Sequence, residues 1–143
     1  MAGEKVLLVD DEADFVDALS ARLEARDLYV EVARSGAEAV ERADGTRFDA
    51  IILDLAMPGM DGIETLQQLR TRQPEVQVVL LTGHGTLQKS VQAMKLGAMD
   101  FLEKPVDINV LMDKIREAHS RMDQVEEQRT KQIIDEILRT KGW

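Results

Sequence analysis

The sequence predicts an α/β fold in which five parallel strands form one doubly wound sheet. Short apolar runs alternate along the chain with segments of helical periodicity, which is the pattern of βα units. Runs such as Val76–Leu81 lack polar alternation and therefore suit strands that are covered by helices on both faces. A chain of 143 residues is long enough for one such domain with its own core and too short for two.

The strands and helices follow one another in regular alternation. The strands are predicted at Lys5–Val9, Tyr29–Val32, Ala50–Asp54, Val76–Leu81 and Phe101–Glu103. The first two helices are predicted over Asp14–Arg26 and Gly36–Ala43. The stripes expected to be buried are Phe15, Leu19 and Leu23 in the first helix, Ile63, Leu66 and Leu69 in the third, and Leu87, Val91 and Met94 in the fourth.

Helix ends are marked by residues that satisfy backbone groups. Ser35 with Glu38, and Asp61 with Glu64, have the spacing of capping boxes at the starts of the second and third helices. Gly97 is expected just beyond the end of the fourth helix. Five such units predict the flavodoxin-like strand order 2-1-3-4-5, which places the first and third strands side by side.

Polar residues stand at the carboxyl ends of four predicted strands. Asp10 and Asp11 follow the first strand, Asp54 ends the third, Thr82 follows the fourth and Lys104 follows the fifth. The carboxyl ends of parallel strands meet at one edge of the sheet, where open α/β folds bind their ligands. An acidic pair, a lone carboxylate, a hydroxyl and an ammonium together predict a site for a divalent cation and a phosphoryl group.

The order and spacing of Asp10-Asp11, Asp54, Met57-Pro58-Gly59, Thr82-Gly83 and Lys104-Pro105 resemble the receiver domain of two-component response regulators. The resemblance covers about residues 4 to 121, which we take as the domain, and leaves residues 122–143 as a helical extension or linker. It implies a phosphoacceptor switch in which a histidine kinase or phosphotransfer protein supplies the phosphoryl group that forms an aspartyl phosphate at Asp54. Such a protein is not an enzyme with an external product.

The resemblance also implies a Mg2+ site. Asp11 and Asp54 would bind the metal directly, Asp10 would orient metal-bound water, and the backbone carbonyl of Ala56 would fill a further position. Few protein ligands combined with water and a phosphate oxygen are typical of Mg2+ in proteins. Taken alone, Asp10 and Asp11 favour capping of the following helix, and the presence of Asp54 and Lys104 favours the metal site instead.

Further roles in phosphoryl binding and switching follow from the same resemblance. Thr82 and the backbone N–H of Gly83 would hold the phosphoryl group. Lys104 would pair with Asp54 at rest and with the phosphoryl group afterwards, with a cis bond before Pro105. Phe101 stands where the family places a switching aromatic residue, and it fits static core packing equally well.

Two histidines remain without an assigned role. The position of His84 is one that tunes phosphate loss in the family, but an exposed loop histidine without function fits as well. His119, late in the fifth helix, is expected at the surface.

Two other functions compete with the phosphoacceptor switch. A haloacid-dehalogenase-like phosphatase also forms an aspartyl phosphate on a parallel sheet, but it begins with Asp-x-Asp whereas this chain has Asp10-Asp11. A degenerate receiver that only binds proteins is the other alternative, and the presence of every expected site residue argues against it.

Composition limits the partners and the compartment. A formal net charge of −9 disfavours direct binding to nucleic acid, which relies on clustered Lys and Arg. The chain has no cysteine, no apolar run of membrane-spanning length and no leader at Met1, so that we expect no membrane partner and a cytoplasmic location.

The segment after Met122 is strongly charged, with apolar residues at helical spacing. We expect a mainly helical Asp107–Thr140 whose part beyond about Arg121 leaves the globular body and contacts a second copy of the chain. Arg129 and Gln132 interrupt the apolar seam, so that a short second helix folding back through Ile133–Leu138 is the alternative.

Overall fold

The computed structural model describes residues 3–57, 61–83 and 87–141, and it has the predicted α/β architecture. Within these ranges the elements are β1 (Lys5–Val9), α1 (Ala13–Glu24), β2 (Tyr29–Ala33), α2 (Gly36–Ala43), β3 (Ala50–Asp54), α3 (Gly62–Arg72), β4 (Val78–Thr82), α4 (Leu87–Lys95), β5 (Asp100–Glu103) and α5 (Ile108–Lys141). The strands form one parallel sheet in the order β2-β1-β3-β4-β5, which confirms the predicted topology.

The register of the sheet brings the strand ends to one edge. Val9 pairs with Leu53 of the neighbouring β3, so that Asp10 and Asp54 follow on adjacent strands. Asp54 in turn pairs with Leu81, directly before Thr82. The predicted candidate residues of β1, β3 and β4 therefore lie side by side, although they are far apart in the chain.

Two separate hydrophobic clusters cover the faces of the sheet. On one face Leu7, Ile51 and Leu80 pack with residues of α2, α3 and α4. On the other face Leu8 and Ile52 pack with residues of α1 and α5. Both faces of β1, β3 and β4 are thus buried, which explains why these strands have no polar alternation.

The predicted N-cap residues Ser35 and Asp61 are confirmed. Ser35 Oγ accepts a hydrogen bond from the backbone N–H of Glu38 at 3.1 Å, and Asp61 Oδ1 accepts one from that of Glu64 at 2.9 Å. Gly97 follows α4 with φ of +104°, in the left-handed region that favours glycine.

One expectation about α4 is wrong. Val91 and Met94 are 48% and 37% exposed, whereas Ser90 and Ala93 are buried against the body. The prediction chose the face with the larger hydrophobic side chains. The structure buries the face with the small residues, which allow the helix backbone to approach the sheet closely. The side chain of Leu87, the third residue of the predicted stripe, lies outside the described part of the structure.

Helix α5 continues without a break beyond the predicted domain. A helical Asp107–Thr140 is confirmed from Ile108, and the alternative of a second helix that folds back is wrong. The helix also does not leave the body after Arg121, because Met122 is only 5% exposed. The division of the chain at residue 122 falls inside this helix and stays a prediction.

Two ion pairs hold the extension to the opposite edge of the sheet from Asp54. Arg47 Nε lies 2.9 Å from Glu126 Oε1, and Arg129 Nη2 lies 3.2 Å from Glu75 Oε1. Beyond Arg129 the helix carries a set of exposed apolar side chains, which we call the apolar stripe: Ile133, Ile134, Ile137 and Leu138.

Candidate functional site

The candidate site lies at the edge where the carboxyl ends of β1, β3, β4 and β5 meet. Asp10 follows β1 and its backbone N–H donates to the carbonyl of Ala33 at 3.1 Å, which continues the ladder with β2. Lys104 follows β5, and its backbone N–H donates to the carbonyl of Thr82 at 2.7 Å. The sheet itself therefore fixes the backbone from which both side chains project.

Three carboxylates form a compact group at this edge. One oxygen each of Asp10, Glu12 and Asp54 lie within 4.8 Å of one another. Asp10 and Asp54 are buried and Glu12 is exposed. Asp10 Oδ1 also accepts a hydrogen bond from the backbone N–H of Glu12 at 3.0 Å, which draws Glu12 toward the site.

The members of this group differ from the sequence prediction at one position. Asp11, predicted to bind the metal directly, is exposed and does not belong to the group, whereas Glu12 does. Sequence reasoning missed Glu12 because an exposed glutamate before a helix resembles an ordinary first-turn charge. The role of Asp11 as a ligand stays a prediction.

The ammonium of Lys104 lies among these carboxylates. Its Nζ is 2.9 Å from Asp10 Oδ2, 3.3 Å from Glu12 Oε1 and 3.6 Å from Asp54 Oδ2. The expected pairing with Asp54 is therefore present, but Asp10 is the nearer partner. The cis bond between Lys104 and Pro105 is confirmed.

The face of an aromatic ring completes the surroundings of Lys104. The ring centroid of Phe15 lies 4.3 Å from Nζ, which is the distance of a cation–π interaction. Sequence reasoning placed Phe15 only in the core-facing stripe of the first helix, and no local signal pointed to this contact.

The electrostatics of the site favour a cation there. Burial raises the pKa of Asp54, and the nearby Asp10 charge adds to this, although the Ala56 N–H and Lys104 oppose it. Burial lowers the pKa of Lys104, but the hydrogen bond to Asp10 and the charge of Asp54 outweigh this and raise it above its usual value. Among the described side chains, one ammonium thus faces three carboxylates, so that these groups carry an excess of negative charge when all three carboxylates are ionised.

The donor set suits a hard divalent cation. Carboxylate oxygens are the ligands that Mg2+ and Ca2+ prefer. The single positive charge of Lys104 does not neutralise all three carboxylates. The backbone N–H of Ala56 donates to Asp54 Oδ1 at 3.1 Å, which fixes the carboxylate and places the Ala56 backbone beside it. The residues present therefore fit a metal site.

The remaining predicted site residues, Thr82, Gly83 and Phe101, do not belong to the carboxylate group. Thr82 is buried and its Oγ1 donates to the carbonyl of Leu102 at 3.4 Å, toward β5. Gly83 is exposed, and a Cβ at its position would meet no atom within 4 Å other than its chain neighbours. Phe101 is partly buried against the cluster on the α2, α3 and α4 face. Its role as a switch stays a prediction.

Part of the predicted motif lies outside the described residues. This holds for Pro58 and Gly59 of the Met57-Pro58-Gly59 motif and for His84. Met57 is described and is buried in the core.

A second cluster of charged groups occupies the opposite edge of the sheet, and it corrects the expectation for His119. The Nδ1 of this histidine lies 2.8 Å from Asp49 Oδ1, and its Nε2 lies 3.2 Å from Asp123 Oδ2. Asp49 is buried and also accepts from the backbone N–H of Lys5 at 2.8 Å. His119, expected at the surface, is thus only 25% exposed and anchors α5 to Asp49, the residue before β3.

Comparison with known proteins agrees with this arrangement. Residues 6–116 match the family model described as the response regulator receiver domain. The transcriptional regulatory protein ZraR of Klebsiella oxytoca is 36% identical over 87% of this chain, which spans 29% of that relative. The transcriptional regulatory protein FixJ of Bradyrhizobium diazoefficiens is 34% identical over 79% of this chain and 55% of its own length. The chain therefore spans well under two thirds of these curated relatives.

A solved structure shows the same fold. The response regulator receiver domain protein from Clostridium thermocellum superposes with a TM-score of 0.82 at 31% identity, over 85% of this chain and 98% of that one. Across the ranges that the structure describes, no helix combines the length and the apolar character needed to cross a membrane.

Proposed function

Because this chain belongs to the response regulator receiver domain family, we propose that Asp54 is the residue that accepts the phosphoryl group. Receiver domains are phosphoacceptor switches rather than catalysts, so that the haloacid-dehalogenase-like phosphatase alternative is wrong. The degenerate receiver, which would bind proteins without taking up phosphate, is the alternative that the experiment below tests.

One observation carries the assignment to Asp54. Its carboxylate ends β3 inside the group formed with Asp10 and Glu12, and it lies 3.6 Å from the Lys104 ammonium. Transfer of a phosphoryl group to a carboxylate requires a positioned oxygen and nearby positive charge for the phosphoryl oxygens. Asp54 has the position, and Lys104 supplies part of the charge.

A bound Mg2+ would supply the rest of the positive charge. The proposed ligands are Asp10, Glu12 and Asp54 from the observed group, and Asp11 and the backbone carbonyl of Ala56 from the family resemblance. Asp54 keeps one carboxylate oxygen hydrogen-bonded to the Ala56 N–H, which orients the other toward the incoming phosphoryl group. The hydroxyl of Thr82 and the backbone N–H of Gly83 would then donate hydrogen bonds to the phosphoryl oxygens.

Transfer at Asp54 would change the position of Thr82. Its hydroxyl donates to the Leu102 carbonyl in the structure, so that binding a phosphoryl oxygen requires this hydrogen bond to be exchanged. The exchange would draw Thr82 toward Asp54 and open space near Phe101. We propose this movement as the conformational switch.

The donor would be a sensor histidine kinase or a phosphotransfer protein, as the family implies. Such a donor acts in the cytoplasm, which is the location we propose. The curated relatives named above are transcriptional regulators in which this chain spans only part of the length. We propose that the switch controls a partner or an output domain of that kind.

A second copy of the chain is the proposed partner of the apolar stripe. Four large apolar side chains on an otherwise charged helix are exposed, and self-association would bury them. Sedimentation of the full chain and of a form ending at Thr130, with and without beryllofluoride, tests this. A full chain that is monomeric in both states would contradict the dimer.

Labelling with acetyl phosphate tests the phosphoacceptor. With Mg2+ present, intact-mass spectrometry should show one added phosphoryl group on the parent protein and none on Asp54→Asn. Asp61→Asn is the matched control, because asparagine also caps a helix and the site is otherwise unchanged. Undiminished labelling of Asp54→Asn would refute the assignment, and absence of labelling in the parent would favour the degenerate receiver.

A further inference from the structure

Phe15 combines a contact with Lys104 and a rigid attachment to the core. It lies in the first turn of α1 and packs against the hydrophobic cluster of the α1 and α5 face. The front of its ring faces Nζ of Lys104 at 4.3 Å from the centroid. The ring therefore packs against the core while one of its faces contacts the ammonium.

We propose that Phe15 is a positioning residue that holds the Lys104 ammonium in place for phosphoryl transfer, an inference that rests on the proposed function of Asp54. Of the side chains that the structure places against the Lys104 ammonium, three are the carboxylates of Asp10, Glu12 and Asp54.

These three carboxylates are also the members of the candidate cation site. A bound cation would therefore offset part of the negative charge of all three carboxylates. Phosphorylation would also convert the Asp54 carboxylate into an acyl phosphate, so that its own negative charge is lost. The attraction that holds Lys104 at rest thus weakens in the state in which Lys104 is needed. The ring of Phe15 is uncharged, so that its contact with the ammonium does not depend on the charge of these carboxylates.

The environment makes this contact effective. A cation–π interaction strengthens as the ammonium loses water, and the Lys104 side chain is only 19% exposed. A lysine side chain has four rotatable bonds, and a fixed contact reduces the conformational freedom lost when it binds the phosphoryl oxygens. Phe15 would therefore preorganise Lys104 without touching the reacting atoms.

Fluorination of the ring separates this role from simple packing. Replacing Phe15 by phenylalanine carrying one, two or three fluorine atoms weakens the negative ring face while changing its size little. The initial rate of phosphorylation by acetyl phosphate should fall stepwise, by about three- to tenfold over the series. Phe15→Tyr should retain the parent rate, and Phe15→Leu should lie at or below the trifluoro variant.

A second measurement, on the unphosphorylated protein, tests the contact between Phe15 and Lys104 directly. In the unphosphorylated protein, the ring current of Phe15 should shift the Lys104 ε-methylene protons upfield in the NMR spectrum. Phe15→Leu should abolish this shift, and Phe15→Tyr should keep it. The same fluorines placed on Phe48, which is buried away from the site, should leave the rate unchanged.

The two proposals fail in different ways. A parent protein that is labelled at Asp54, but whose rate is the same across the fluorine series, would overturn the role of Phe15 alone. An absent ring-current shift on Lys104 would do so as well. A parent protein that takes up no phosphoryl group would overturn both proposals.

Discussion

Arg129 Nη2 lies 3.2 Å from Glu75 Oε1, so that helix α5 is still attached to the body well beyond the boundary expected after Arg121. Arg129 is exposed and Glu75 is partly exposed, so that the ion pair contributes little by itself. It accompanies a half-buried Val125 and a buried Met122, which together extend the packed part of the helix.

Truncation distinguishes the packed part of α5 from its exposed end. A chain ending at Arg121 loses Met122 and should be less stable than the parent by about 2–4 kcal/mol, as for other losses of a buried methionine contact. A chain ending at Thr130 keeps these contacts and should have the parent stability within about 0.5 kcal/mol. Urea unfolding measures both, and equal stability of the two truncated forms would show that the packing around Met122 contributes nothing.

His119 should make stability depend on pH. Its hydrogen bond with Asp49 raises its pKa above 6.5 against the effect of burial, and the charges of Asp49, Asp123 and Glu4 add to this. Because the folded-state pKa is raised, the contribution is fully present below pH 6.5 and is lost as pH rises through the folded-state value. Both ring nitrogens face carboxylate oxygens, and only the imidazolium can donate to both.

The measurement for His119 compares the free energy of unfolding at pH 6 and pH 8.5. The parent should lose stability across this interval, and His119→Ala should lose less. Arg116→Ala, on the same helix and exposed, is the control that should keep the parent slope. A slope in His119→Ala equal to that of the parent would exclude the histidine as its origin.

Removal of the Asp54 charge should raise the stability of the metal-free protein. Burial raises the pKa of Asp54, so that its ionised form at neutral pH destabilises the folded state, and stability falls as pH rises from 3.8 through the folded-state pKa. Asp54→Asn removes this destabilising charge while Lys104 keeps Asp10 and Glu12 as partners. The melting temperature without metal should therefore rise, and its increase with Mg2+ should shrink.

Asp11→Asn provides the comparison for Asp54→Asn. Asp11 is exposed, so that its replacement should leave the metal-free melting temperature unchanged and reduce only the response to Mg2+. A melting temperature of Asp54→Asn below that of the parent would contradict the electrostatic account of the site.

Gly62 should not tolerate a side chain. A Cβ at this position would lie 2.5 Å from Leu55 Cα and 2.9 Å from the Asp54 carbonyl oxygen, so that backbone would have to move. Gly62→Ala should therefore cost about 1–3 kcal/mol in urea unfolding and slow the labelling of Asp54. Gly83→Ala, where the added Cβ meets open space, should keep its stability, and an equal loss in both would remove the steric explanation.

The features of this protein that the sequence predicted correctly are those that depend on local sequence patterns. Apolar runs and helical periods sufficed for the strand order, and the capping residues Ser35 and Asp61 marked two helix starts. The strand ends sufficed to bring Asp10, Asp54 and Lys104 together, because parallel topology places such ends on one edge.

The remaining features depend on contacts between distant segments. His119 and Asp49 are 70 positions apart, and neither has a neighbour in sequence that reveals the pair. The same applies to Phe15 and Lys104, whose contact depends on where α1 starts relative to the end of β5. The face of α4 was mistaken because packing space, rather than hydrophobicity, selects Ala93 over Met94.

The unbroken course of α5 has a mechanical consequence. Its 34 residues form a rod about 50 Å long, because an α-helix rises by about 1.5 Å per residue. Because successive turns of the helix are joined by backbone hydrogen bonds, an axial rotation at Ile108 is transmitted toward Leu138. The direction in which the distal side chains point is therefore set by the sheet, some tens of ångströms away.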